Sequence, residues 1–165
     1  MNNATLEDPK PDIDPTKAQY ITPRVRAAND AQSVVTVTSR DHEWLIDEPT
    51  EKGGTNRGPT PLESLLGSLV GCESVVLKLV AKAIGFDYSQ LAIDCTGTAD
   101  MRGARGVKGV RPYFTKVEMV IDITTGENDR RLDLLRRNVE QRCPVMNLFE
   151  SAGVEMDVSW KVTRP

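Results

Sequence analysis

With 165 residues, 39 % of them hydrophobic, and a formal net charge of −3, the chain has material for one hydrophobic core. No apolar run reaches the roughly 18 residues of a bilayer span, and acidic and basic residues are mixed without a basic stripe, so neither a membrane protein nor a nucleic-acid binder is expected. The single histidine, His42, excludes a multi-histidine metal site within the chain, and no cofactor is expected.

The opening residues, Met1-Asn2-Asn3-Ala4, lack a basic stretch followed by an apolar one. No secretory leader is expected, and the cytoplasm is the expected compartment. The three cysteines, Cys72, Cys95 and Cys143, are odd in number and contain no Cys-x-x-Cys pair. That argues against a disulfide framework and a zinc ribbon, and leaves open whether any thiol is reactive.

Residues 1–19 are rich in Pro, Asp and Asn and read as a flexible arm, with a single domain over 20–165. From Tyr20 to Asp47 the pattern is that of strands. Val34 to Thr38 is a β-branched run, flanked by turn residues Ala28-Asn29-Asp30-Ala31 and Arg40-Asp41, and Trp44-Leu45-Ile46 follows as a third strand. Together they suggest an antiparallel meander. Residues 48–59 hold three glycines and two prolines and form a loop.

A long helix is predicted over Pro61–Ile84. Thr60 is its N-cap, Pro61 its first residue, and Glu63 completes a capping box; Gly85 stops it. Apolar side chains cover most of its circumference, which predicts burial on nearly all sides in its first turns. Leu91, Ile93 and Cys95 alternate with polar residues, Gly97–Gly109 reads as a basic protruding turn, and Phe114–Ile123 alternates again. A second helix is predicted over Asp129–Arg142, broken by Pro144. A short helix then runs to about Ala152, and Val154–Val162 closes the chain as a strand.

Cys143 precedes Pro144 and so falls at the N-cap of the short helix, where free N–H groups and the positive helix end favour a thiolate. Arg142 is adjacent, and Arg136 and Arg137 lie about two turns back along the helix. The plain alternative is that Cys143 only packs at a helix junction. Cys72 lies midway along the apolar helix, where a thiol is ordinarily core material. It becomes reactive only if a positive charge comes from elsewhere, with Arg24, Arg26 and Arg57 as candidates. Cys95 reads as a small core hydrophobe and His42 as a surface residue. Glu63 is accounted for by its cap, and nine positions at about 100° each place it opposite Cys72 on the helix.

The segments Asp47-Glu48-Pro49, Gly53-Gly54, Gly58-Pro59-Thr60-Pro61-Leu62-Glu63-Ser64-Leu65-Leu66 and Gly71-Cys72, followed by Arg142-Cys143-Pro144-Val145, resemble the two cysteine signatures of the OsmC/Ohr family. The resemblance extends from about Val34 to the C-terminus. It implies an α+β fold with antiparallel sheets wrapped around two long central helices, in an intertwined homodimer with the active sites at the subunit interface. It implies reduction of organic hydroperoxides: Cys72 attacks the peroxide, Cys143 resolves the product as a disulfide, and an external dithiol reduces it. An arginine, Arg24 or Arg26, would hold Cys72 as thiolate, and Glu63 would orient that arginine. The resemblance gives first attack to Cys72, whereas the helix-local reading makes Cys143 the more acidic thiol; the family assignment is followed. One departure bears on this. The peroxidase branches carry glutamate directly after the proline that starts the long helix, where this chain has Leu62, and Glu63 stands one place later, about 100° further round. That resembles the general OsmC-like branch. It also motivates an alternative, a non-enzymatic dimer of the same fold that binds a small apolar or thiol compound at its interface. A structural dimer with incidental cysteines is the third reading.

Overall fold

A computed structural model describes residues 8–10, 13–29 and 33–165. Part of the expected arm (1–7, 11 and 12) and the turn expected at Asp30 and Ala31 lie outside the described residues. The chain divides into two compact units, Pro11–Gly67 and a second made of Ser68–Pro165 with residues up to Lys10.

In the first unit, β1 (Arg26–Asn29), β2 (Val35–Ser39) and β3 (His42–Ile46) form an antiparallel sheet in the order β1-β2-β3. β1 includes Ala28 and Asn29, which the sequence assigns to a turn; both pair with β2. Arg40 adopts φ 53 in the two-residue β2–β3 connection.

Asp47, 1 % exposed, organises the loop that follows. Its carboxylate accepts from Ser33 Oγ at 2.6 Å and Thr55 Oγ1 at 2.6 Å, and from the backbone N–H groups of Glu48, Thr55 and Arg57 at 2.8–3.1 Å. These bonds, Ser33 first and Thr55 next, outweigh desolvation and hold the carboxyl well below the usual carboxylate range. The loop doubles back tightly enough that a Cβ on Gly54 would lie 1.8 Å from the Glu48 carbonyl oxygen.

Helix α1 (Pro61–Ile84) begins with the expected capping box: Thr60 N–H donates to Glu63 Oε2 at 2.7 Å, and Glu63 N–H donates to Thr60 Oγ1 at 3.2 Å. It ends at Gly85, φ 63, with Phe86 N–H bonded to the Ala81 carbonyl and Gly85 N–H to that of Lys82, a Schellman closure. Its burial is narrower than the sequence predicts. Leu69, Glu73, Leu77, Val80 and Ala81 are buried along one stripe, whereas Val75 and Leu79 are 59 % and 62 % exposed. A single chain covers one face of a helix that is apolar on several. The helix, 24 residues with a window of mean hydropathy 1.6, is also long and apolar enough to cross a membrane, contrary to expectation. Gly67, Ser68, Gly71 and Ser74 interrupt the apolar run for the eye while hardly lowering its mean.

The second unit holds β4 (Gln90–Ala99), α2 (Met101–Ala104), β5 (Phe114–Thr124), α3 (Asp129–Arg142), α4 (Pro144–Ser151) and β6 (Glu155–Thr163). The protruding turn expected over Gly97–Gly109 is instead the end of β4 and a one-turn helix capped by Asp100. β5 is central. It pairs antiparallel with β4 and parallel with β6, so this sheet is mixed rather than antiparallel. The physical reason is the α3–α4 connection: a crossover of this length returns the chain to the same end of the sheet. Val117, Met119, Ile121 and Ile123 of β5 are at most 2 % exposed. They are flanked by Gly97, Cys95, Ile93 and Leu91 of β4 and by Met156, Val158, Trp160 and Val162 of β6. Leu132, Leu134, Leu135 and Val139 of α3 are likewise buried. Phe149 of α4 stacks on Phe114 at 6.0 Å, and the Arg136 guanidinium covers the Trp160 ring at 5.1 Å. The Arg131 side chain bonds the last carbonyls of α1, Ile84 at 3.0 Å and Gly85 at 2.6 Å, and pairs with Glu127 at 2.9 Å.

Backbone crowding at Gly54 gives a direct test. Gly54→Ala is expected to lower the free energy of unfolding of the first unit by at least about 2 kcal/mol, read as a lower urea midpoint with an unchanged slope. An unchanged midpoint would mean that the Glu48–Gly54 approach is not a constraint.

Candidate functional site

Cys143 is where α3 stops and α4 starts. A residue before proline is pushed out of the helical region, and Cys143 accordingly adopts φ −72 and ψ 106. Its N–H still closes α3 by donating to the Val139 carbonyl at 3.0 Å, while its carbonyl accepts the Asn147 N–H at 3.0 Å and so opens α4. Its Sγ accepts from the Met146 N–H at 3.4 Å, which makes the thiol the N-cap that the sequence predicts.

The electrostatic consequence is the reverse of that prediction. Cys143 is fully buried, and burial pushes its thiol up to about 12. The Met146 N–H opposes the shift, and the neighbouring Glu73 carboxyl and Cys72 thiol add to it. Two of the basic residues invoked from the sequence point elsewhere. Arg142 bonds Asn138 Oδ1 at 2.8 Å and the Pro9 carbonyl at 3.4 Å, and Arg136 lies over Trp160 and pairs with Asp133 at 3.6 Å. Asn138 in turn donates to Asp8 at 2.8 Å, so residues 8 and 9 are held along α3.

Cys72 is half-buried on α1, and its thiol is one of the groups acting on Cys143. Cys72, Glu73 and Cys143 therefore form one cluster inside the second unit. Glu73 is the residue that sequence reasoning missed. It occupies the buried stripe of α1 between Leu69 and Leu77 and is 1 % exposed. Burial raises its carboxyl above the usual range, the Cys143 thiol opposes this, and the charge of Glu140 adds to it. Neither carboxyl oxygen completes a well-aligned hydrogen bond; the polar group it faces is the Cys143 thiol. The signal was a charged residue spaced four from a leucine on either side, a core position.

Arg24 and Arg26 belong to the first unit, both exposed, and line a shallow recess with Arg40, Thr38 and Ser39. Glu63 is exposed, also in the first unit, and engaged in the α1 cap. Cys95 is half-buried on β4, its thiol pushed up by burial and then by Asp94. Among the described residues no group of three or more His, Cys, Asp and Glu side chains could hold a metal ion.

Residues 54–159 match the family described as OsmC-like protein, and the chain belongs to that family. No curated protein sequence matches it. Among solved structures, an OsmC-like protein from Mycoplasma pneumoniae aligns with TM-score 0.71 at 20 % identity, covering 88 % of this chain and 99 % of that one. An organic hydroperoxide resistance protein from Legionella pneumophila aligns with TM-score 0.65 at 20 % identity, covering 88 % and 100 %. The organic hydroperoxide resistance protein OhrB of Bacillus subtilis gives TM-score 0.54 at 19 % identity over 87 % and 98 %. The fold is therefore OsmC-like.

The contrast between the thiols is measurable. With its thiol pushed far up by burial, Cys143 is protonated at pH 8. Iodoacetamide at that pH is expected to label Cys72 in the folded protein and to leave Cys143 unmodified until urea is added, as read by peptide mass mapping. Labelling of Cys143 as fast as Cys72 would contradict the burial.

Proposed function

We propose that the protein is a thiol-dependent peroxidase that reduces organic hydroperoxides through Cys72 and Cys143. The observation that carries the reading is the Cys143 thiol set against Cys72 in a buried cluster, in a chain of the OsmC-like family. The hydroperoxide resistance proteins among its structural neighbours point the same way.

In this reading the Cys72 thiolate attacks the peroxide oxygen. The O–O bond breaks, the alcohol leaves with a proton, and Cys72 becomes a sulfenic acid. Cys143 then attacks the Cys72 sulfur, the S–O bond breaks, and water departs as the disulfide forms. An external dithiol returns both thiols to the reduced state. The high position of the Cys143 thiol suits it to the second step, because a neutral buried thiol does not compete for the peroxide. We assign activation of Cys72 to Arg24 or Arg26. In this reading Glu63, whose Oε2 accepts the Thr60 N–H in the cap, orients that arginine. The exposed Val75 and Leu79 of α1 support a homodimer that covers this face.

One equivalent of an organic hydroperoxide added to the reduced protein is expected to give a Cys72–Cys143 disulfide, mapped by mass spectrometry. Cys72→Ser abolishes peroxide consumption. Cys143→Ser consumes one equivalent and stops with an oxidised Cys72. Free thiols after peroxide treatment would replace this reading by that of a non-enzymatic OsmC-like protein.

A further inference from the structure

Glu73 has no structural explanation. It stands where the Leu69–Leu77 stripe calls for another apolar side chain, and it is 1 % exposed. Burying a carboxyl without a partner is strongly unfavourable relative to a well-packed hydrophobe unless it stays protonated. Among the described residues no nitrogen or oxygen donor satisfies either of its oxygens, no arginine or lysine acts on it, and the charge that does, that of Glu140, has the same sign. What it meets is the Cys143 thiol, which in turn faces Cys72.

That arrangement matters for disulfide closure. The buried Cys143 thiol is neutral, and a neutral thiol is a poor nucleophile. Its proton must leave as its sulfur attacks, and the hydroxyl on Cys72 must gain a proton to depart as water. Bulk solvent does not reach the fully buried Cys143. A carboxylic acid can do both tasks at once, accepting a proton on one oxygen while releasing one from the other.

We infer that Glu73 is a catalytic proton-transfer residue of disulfide closure, exchanging the Cys143 thiol proton for the proton that leaves with the hydroxyl of oxidised Cys72. In the step the Cys143 S–H and Cys72 S–O bonds break, the S–S bond and the second O–H bond of water form, and Glu73 is protonated before and after. Cys143 is oxidised and Cys72 is reduced from sulfenic acid to disulfide. The inference rests on the peroxidase reading above.

The test is a single-turnover measurement on the full chain, with Cys72 sulfenic acid trapped by dimedone and disulfide followed by acid quench and mass spectrometry. Glu73→Gln keeps the shape and removes the transferable proton. It is expected to form sulfenic acid at the native rate and to close the disulfide about 100-fold more slowly, so that dimedone-labelled Cys72 accumulates. Closure at the native rate overturns the inference, and so does an equal loss in both steps, which marks a packing role. Should Glu73→Gln fail to fold, the native protein answers: closure is slowed in deuterated water while sulfenic acid formation is not, and equal closure rates in the two solvents overturn the inference. If native Cys72 forms no sulfenic acid, the peroxidase reading falls and takes this step with it. Normal sulfenic acid with unimpaired closure in Glu73→Gln overturns only the role of Glu73.

Discussion

The site depends on one backbone constraint, the inability of Cys143 to remain helical before Pro144. Because of it, α3 ends and α4 begins on the same residue, and the thiol is held as a cap by the Met146 N–H. Caps of this kind normally favour negative charge. Here the junction lies against the buried stripe of α1, and loss of solvent outweighs the favourable N–H, leaving the thiol neutral. The same junction that fixes the sulfur in space therefore also restrains its reactivity.

Much of this was legible in the residues. The extent of α1 follows from Thr60, Pro61 and Glu63 at one end and Gly85 at the other, because both caps are local chemistry. The N-cap position of Cys143 was legible for the same reason. Its ionisation was not, since that is decided by α1, some 70 positions earlier in the chain. Glu73 was hidden in the same way: its spacing marks a core position, but only the fold reveals which group it meets. The direction of β6 was beyond reach too, because alternation of apolar and polar residues reads alike in parallel and antiparallel strands.

The two units solve the problem of polar burial in opposite ways. Asp47 is surrounded by hydroxyl and amide donors, so its charge is stabilised and it fastens the loop leading into α1. Glu73 is given almost nothing, so its neutral form is stabilised. One carboxyl is a fastening and the other keeps a mobile proton, and the difference lies in the number of donors each one meets.

The parallel pairing of β5 with β6 has a consequence for how the molecule comes into being. β4 and β5 are consecutive strands and can zip early, but Lys116 meets Glu155 only after the intervening helices have formed and folded back. Such distant pairings are slow, because chain entropy must be surrendered before the contacts return it. Cys143 lies inside that returning segment. On a nascent or partly folded chain, Cys143 is an ordinary exposed thiol with no fixed neighbour. Return of this segment to the sheet brings it into the dry interior beside Cys72, so the meeting of the two sulfurs is tied to the slow part of assembly.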